Sequence, residues 1–113
     1  AAAALAVEDA RLETSRGSAR RGVCLGVSNN AVDLLEREIE AFLKRGGRRG
    51  NPTVPGAVFP HAAAAEVAIR CACEGPTSTT SAGCAAGALA ITQACEEIRD
   101  GRADVMIAGG ADG

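Results

Sequence analysis

The chain contains no tryptophan and no tyrosine, and only two phenylalanines, one histidine and one methionine. Aromatic platforms for stacking nucleic-acid bases are therefore missing. A net charge of −2 supplies no basic field for a phosphate backbone either, so nucleic acid is not an expected partner. Long apolar runs are also missing. Residues 1–7 are apolar, but they fall far short of the roughly 20 residues a membrane span needs. No basic segment precedes them, so neither a span nor a secretory leader is expected. The five cysteines are odd in number and follow no disulfide framework, which points to a reducing, cytoplasmic setting. Repeats and low-complexity tracts are absent. A hydrophobic fraction of 47% is not that of a disordered chain.

What is abundant is alanine and glycine. The 113 residues suffice for one modest domain with close packing of small side chains. Residues 1–7 read as a helix with Glu8, Asp9 and Arg11 on its wet side, cut at its start. Residues 13–21 read as a polar loop whose Arg16, Arg20 and Arg21 are solvated, with phosphate binding the less favoured alternative. Gly22 to Val27 reads as a strand. Asn29-Asn30 then caps a helix with an apolar stripe of Val32, Leu35, Ile39, Phe42 and Leu43, ending near Lys44. Arg45 to Pro55 reads as a surface loop. Its basic residues with Lys44, namely Arg45, Arg48 and Arg49, are the alternative contact for an acidic partner. A second helix, His61 to Cys71, carries Ala, Val and Ile on its buried sides.

The most informative stretch is Gly75 to Gly110. Thr77 to Ala82 is short, polar and partly β-branched, which fits a strand packed against another polar surface. Ala82-Gly83 allows a tight turn, and Cys84 stands where the strand becomes a helix. Ala88, Ile91, Cys95 and Ile98 share one helical face and are expected to be buried, with Gln93, Glu96, Glu97 and Arg99 outward. Asp100-Gly101 stops the helix. Ala103 to Ala108 then reads as a buried strand ended by Gly109-Gly110. A cysteine at a helix start faces unpaired N–H groups and the positive end of the helix dipole, which favour its thiolate. The same N–H groups can hold the oxyanion of an attacked thioester. Gly83, Ala85, Ala86 and Gly87 leave room for a substrate carbonyl. Cys84 is thus a candidate acyl-transfer nucleophile.

This order of features resembles the nucleophile region of the β-ketoacyl-acyl carrier protein synthases, the condensing enzymes of fatty acid and polyketide synthesis. The residues that carry the resemblance are Gly75-Pro76, Thr79, Ser81, Cys84, Gly87, Asp100-Gly101 and Ala103 through Gly110. Pro60, Ala63-Ala64 and Val67-Ala68-Ile69-Arg70 resemble the family's helix before Gly-Pro, and Gly22 to Gly26 an earlier core strand. The chain departs from the family at three places. Gly83 stands where Ala is common, Ala86 where Ser or Thr is, and Glu66 where His or a small residue is. The resemblance implies an α/β, thiolase-like layered fold that is incomplete, residues 1–113 being part of the N-terminal half. It implies that Cys84 accepts an acyl group from acyl carrier protein and that a malonyl thioester on that carrier then condenses with it. It implies no metal and no organic cofactor, and a homodimer in which the strand before Cys84 lies near the two-fold axis. The family's other catalytic residues, a His pair or a His and an Asn, and its Lys belong to its C-terminal half. The chain alone is therefore expected to have no condensing activity.

The remaining polar candidates divide as follows. Cys24 and Cys95 are expected as core thiols. Cys71-Ala72-Cys73 with His61 could hold a metal, but no second ligand pair stands at a zinc-like spacing. His61 could be a base for Cys84. The resemblance places it where such synthases carry an Asn, so a surface histidine is the expectation. Two rival functions stay open: a thiolase acting on coenzyme A thioesters, and a non-catalytic ketosynthase-like dimer partner. The Gly-Pro, the Thr/Ser strand and Ala-Asp-Val-Met favour a synthase over a thiolase. The presence of Cys84 counts against a non-catalytic partner.

Overall fold

The computed structural model describes residues 1–46 and 50–112. Its axis is strand β1, Arg21–Gly26, in which every residue after Arg21 is buried. Successive strand side chains point to opposite faces. Val23 and Leu25, with Val27 beyond the strand, therefore line one face, and Gly22, Cys24 and Gly26 the other. Both neighbours of β1 are parallel to it. Strand β2, Thr77–Thr80, pairs Val23 with Thr77 through Gly26 with Thr80. Strand β3, Val105–Gly110, pairs Arg21 with Val105 through Gly26 with Gly110. The sheet order is β2-β1-β3. Parallel neighbours need crossovers. Helices α2 (Val32–Lys44), α3 (Val54–Val58) and α4 (His61–Arg70) connect β1 to β2, and α5 (Ala86–Arg99) connects β2 to β3.

The two faces of the sheet are covered differently. On the first, Val23, Leu25 and Val27 pack with Ala64 and Ala68 of α4 and with Cys71 and Cys73 just beyond it. Val7 from helix α1 (Ala2–Asp9), Ala63, Val67 and Ile107 close the edges of that cluster. On the second face lies α5, which buries Ala86, Ala90 and Ala94. The helix approaches the sheet backbone to backbone: a Cβ added to Gly26 would run into the Ala86 carbonyl group. A Cβ on Gly110 would stand 3.1 Å from the Gly87 Cα. The result is a helix–sheet–helix layering, α/β as the sequence implies.

Several sequence expectations need correction. The buried face of α5 is not Ala88, Ile91, Cys95 and Ile98. Ile91, Cys95 and Ile98 are exposed, and Ala86, Ala90 and Ala94 take the sheet side. Bulky side chains would hold the helix off Gly26 and Gly110, whereas alanine lets the backbones meet. Strand β3 includes Gly109 and Gly110, and its Val105 is 36% exposed because the strand is at the sheet edge. The α2 stripe exists, but no α2 residue is buried, and Leu43 is 71% exposed. In α4, Ile69 points outward at 77% exposure, although Ala64 and Ala68 are buried.

The polar expectations shift as well. Asn29 and Asn30 do not cap α2. Its N-cap is Ala31, in the left-handed region with φ 49°, and it makes no side-chain cap bond. The Asn30 amide instead donates to the Ala57 carbonyl at 2.6 Å. Arg20 and Arg21 are not free solvated cations. Arg20 donates to both Asp104 carboxylate oxygens, at 3.1 and 2.5 Å, and to the Gly101 carbonyl at 2.6 Å, tying the starts of β1 and β3 together. Arg21 donates to the carbonyls of Cys71 at 3.1 Å and Glu13 at 2.5 Å. The Arg45–Pro55 segment contains the start of α3, with Pro55 in its first turn, where proline's missing N–H costs nothing. Lys44 of the basic stretch pairs with Glu40 at 3.0 Å. Arg48 and Arg49 lie outside the described residues.

Candidate nucleophile site

In a parallel sheet all strands end on the same side, and β1, β2 and β3 end together at Gly26, Thr80 and Gly110. Open α/β sheets bind their ligands at that edge. Cys84 is there, in the short 3-10 turn Gly83–Ala85 that leads from β2 into α5. The turn works because Gly83 has φ +53°, a left-handed conformation that glycine adopts without strain. The Ala85 N–H closes it by donating to the Ala82 carbonyl at 3.1 Å. Cys84 is exposed. The sequence expectation of free N–H groups at this helix start is met only in part, because the turn itself takes up the Ala85 N–H and, on the Gly83 carbonyl, a main-chain N–H at the start of α5, in the small-residue surroundings expected from the sequence.

The turn is held by its neighbours. The Thr80 hydroxyl donates to the Gln93 side-chain oxygen of α5 at 2.9 Å, joining the strand before the turn to the helix after it. The Ser28 hydroxyl donates to the Gly83 carbonyl at 2.9 Å. The main-chain N–H groups of Ser28 and Asn29 both donate to one Asp112 oxygen, at 2.6 and 3.0 Å. These bonds, from Asn29 first and then Ser28, hold the Asp112 carboxyl below the usual carboxylate range against a smaller opposing effect of desolvation. Ser28, Gln93 and Asp112 did not emerge from the sequence. The one available signal is that Ser28 and Asp112 each stand two residues beyond the end of a parallel strand.

The other sequence candidates do not join Cys84. The His61 ring stacks on Phe59, with centroids 5.9 Å apart, and among the described residues no hydrogen bond links it to Cys84. Cys71 and Cys73 are buried in the core against β1. Burial, and secondarily Cys71, pushes the Cys73 thiol up, opposed by Arg21. Among the described residues no three His, Cys, Asp or Glu side chains gather as a metal site. Cys24 is buried as expected, its sulfur 2.9 Å from the Ser78 hydroxyl. Cys95 is not: it is exposed on the outer face of α5. The polar character of β2 also has an internal explanation, because Ser78 and Thr80 both face partners in this chain. The Thr79 hydroxyl is buried without one among the described residues. Among the described residues no helix is long and apolar enough to cross a membrane.

The site is thus an exposed cysteine at the strand-end edge of a parallel sheet flanked by helices, in the turn entering α5. The family model described as "Beta-ketoacyl synthase, N-terminal domain" matches residues 1–113, and the chain belongs to that family. "Nodulation protein E" of Rhizobium sp. (strain N33) is 40% identical over 98 residues, 86% of this chain and 24% of that protein. "3-oxoacyl-[acyl-carrier-protein] synthase 2" of Staphylococcus aureus is 32% identical over 112 residues, 98% of this chain and 28% of that protein. Among solved structures, a type II PKS acyl-carrier protein in complex with its ketosynthase bound to the hexaketide superposes with a TM-score of 0.90. That match is 27% identical and covers 98% of this chain and 32% of the other. The fold is the α/β, thiolase-like one of the ketosynthases, present in part. The chain spans about a quarter of the length of these curated relatives.

Proposed function

We propose that residues 1–113 are one partial β-ketoacyl synthase N-terminal domain and that Cys84 is its acyl-accepting nucleophile. The Cys84 thiolate attacks the carbonyl of an acyl group carried as a thioester on acyl carrier protein. The tetrahedral oxyanion collapses, the carrier thiol leaves and takes up a proton, and the acyl group remains on Cys84. Loss of carbon dioxide from a malonyl thioester on the carrier then gives a carbanion, which attacks the acyl-Cys84 carbonyl. The β-ketoacyl carrier product departs and Cys84 is freed. The Cys84 N–H serves in the oxyanion hole, where one donor is worth roughly 3–4 kcal/mol of barrier. One observation carries this reading: an exposed cysteine in the turn entering α5, within a family match that runs the length of the chain. The names of the relatives support the carrier protein as partner.

The reaction needs no metal or organic cofactor, because thioester cleavage and decarboxylation drive it. The chain alone does not condense, since the family's remaining catalytic residues are not among its 113. Two copies pair through the free edge of β2, which lies at one side of the sheet and invites a further strand or partner. The experiment is Cys84→Ala in a synthase that includes these residues. β-Ketoacyl formation should fall to background, and near-normal turnover would refute the role. Thr77→Lys should shift such a protein from dimer to monomer in sedimentation, and an unchanged dimer would refute the interface.

A further inference from the structure

The bond from the Ser28 hydroxyl to the Gly83 carbonyl acts on a single peptide unit. The Gly83 carbonyl and the Cys84 N–H are the two ends of that unit, and a planar trans peptide points them in opposite directions. Fixing the carbonyl therefore fixes the N–H. The Gly83 carbonyl also accepts a main-chain N–H at the start of α5, and the Ser28 hydroxyl is its second donor, added where Gly83, at φ +53° and with open space where a Cβ would be, has no side chain to hold it. Ser28 can act as a fixed post only if its own backbone is held. The two N–H bonds to Asp112, at 2.6 and 3.0 Å, hold it, and they connect the loop after β1 to the end of β3. Both of those N–H groups stabilise the ionised Asp112 carboxylate, so the anchor is charge-assisted.

We propose that Ser28 and Asp112 are positioning residues for the acyl-transfer step. Asp112 sets the main chain of Ser28, Ser28 sets the Gly83–Cys84 peptide, and that peptide presents its N–H to the oxyanion of the attacked thioester. This rests on the reading of Cys84 as nucleophile. Neither side chain touches the reacting atoms.

Two reactions of the same sulfur separate this role from a general structural one. Acylation by a thioester passes through an oxyanion, whereas alkylation by iodoacetamide is a direct displacement and does not. The rates of both at Cys84 are measured by mass spectrometry on the chain, using an acyl N-acetylcysteamine thioester and iodoacetamide. Ser28→Ala should slow acylation about tenfold, a partial loss of one oxyanion donor, and change alkylation less than twofold. Ser28→Thr, which keeps the hydroxyl, should restore acylation. Asp112→Ala should slow acylation less than Ser28→Ala does, and Asp112→Asn, which keeps an acceptor oxygen, less again. Equal loss in both reactions, or labelling of the buried Cys24, Cys71 and Cys73 in the variants, would make the role merely structural and overturn the proposal. So would unchanged acylation in Ser28→Ala. Failure of the unaltered chain to acylate at Cys84 at all would instead overturn the nucleophile reading itself.

Discussion

Helix α5 carries apolar residues on its inner and its outer side, and the two sides behave in opposite ways. The inner one is built from alanines: Ala90 is fully buried and Ala86 and Ala94 nearly so. The outer side carries Ile91 and Ile98 along one flank and Leu89 along the opposite one, 51%, 44% and 46% exposed, with polar Thr92, Glu96 and Arg99 between them. Hydrophobicity alone would have ranked them the other way round. The sheet side is decided by distance, because Gly26 and Gly110 bring the strand backbones up to Ala86 and Gly87 and only small side chains fit between. Among the described residues the outer side, like the α2 stripe, has no cover.

Thiol labelling should separate the faces most widely. Cys95 on the outer face and Cys84 in its turn should react with iodoacetamide well before Cys24, Cys71 and Cys73. Local opening that costs even about 3 kcal/mol slows a buried thiol more than a hundredfold. Cys73 should also need the most alkaline solution, since burial pushes its thiol up. Labelling of Cys24 as fast as Cys95 would break the contrast. Next in size is overpacking. Ala90→Leu should destabilise the chain by about 3 kcal/mol in urea denaturation. Ile91→Ala, one position along on the other face, should change stability by no more than about 0.5 kcal/mol. Equal costs would mean that the two faces are equivalent.

The smallest expected effect concerns the clasp between β1 and β3. Arg20 holds the Asp104 carboxyl below its ordinary range, chiefly through its hydrogen bonds and secondarily by charge, against desolvation. A carboxylate with a folded pKa below its unfolded one stabilises the fold above the unfolded value, near 3.9. That contribution fades as the pH falls through the folded value. The pair is half-exposed, at 50% and 65%, so solvent screens it and the change is small. The midpoint of unfolding, followed from pH 6 into the acid range below the ordinary Asp value, should drop slightly less in Arg20→Ala than in the unaltered chain. Identical acid slopes would assign the clasp no role.

What could be read from the sequence was local. The turn at Gly83, the stop at Asp100-Gly101 and the strand at Gly22 depend on neighbouring residues, and all three stand where expected. The resemblance to ketosynthases rested on the same short-range order. What escaped was non-local. Ser28 and Asp112 are 84 positions apart, as are Arg20 and Asp104, and no periodicity joins them. The buried face of α5 escaped for a different reason. Its hydrophobic periodicity is genuine, but the large residues mark the uncovered side. The capping role expected of Asn29 and Asn30 failed because the helix starts after Ala31, in the left-handed region, and the Asn30 side chain is turned to the Ala57 carbonyl instead.

Cys84, among five thiols, is the one proposed to take the acyl group. Incubating the chain with acyl carrier protein charged with an acyl thioester, then mapping the adduct by tandem mass spectrometry, tests it directly. Cys95 is the internal control, since it too is an exposed thiol and is borne by the helix that the Cys84 turn leads into. The acyl mass should appear on Cys84, and be absent from Cys95, in the folded chain, and the preference should vanish in guanidinium. An acyl group on Cys95, or one shared equally between the two, would contradict the account.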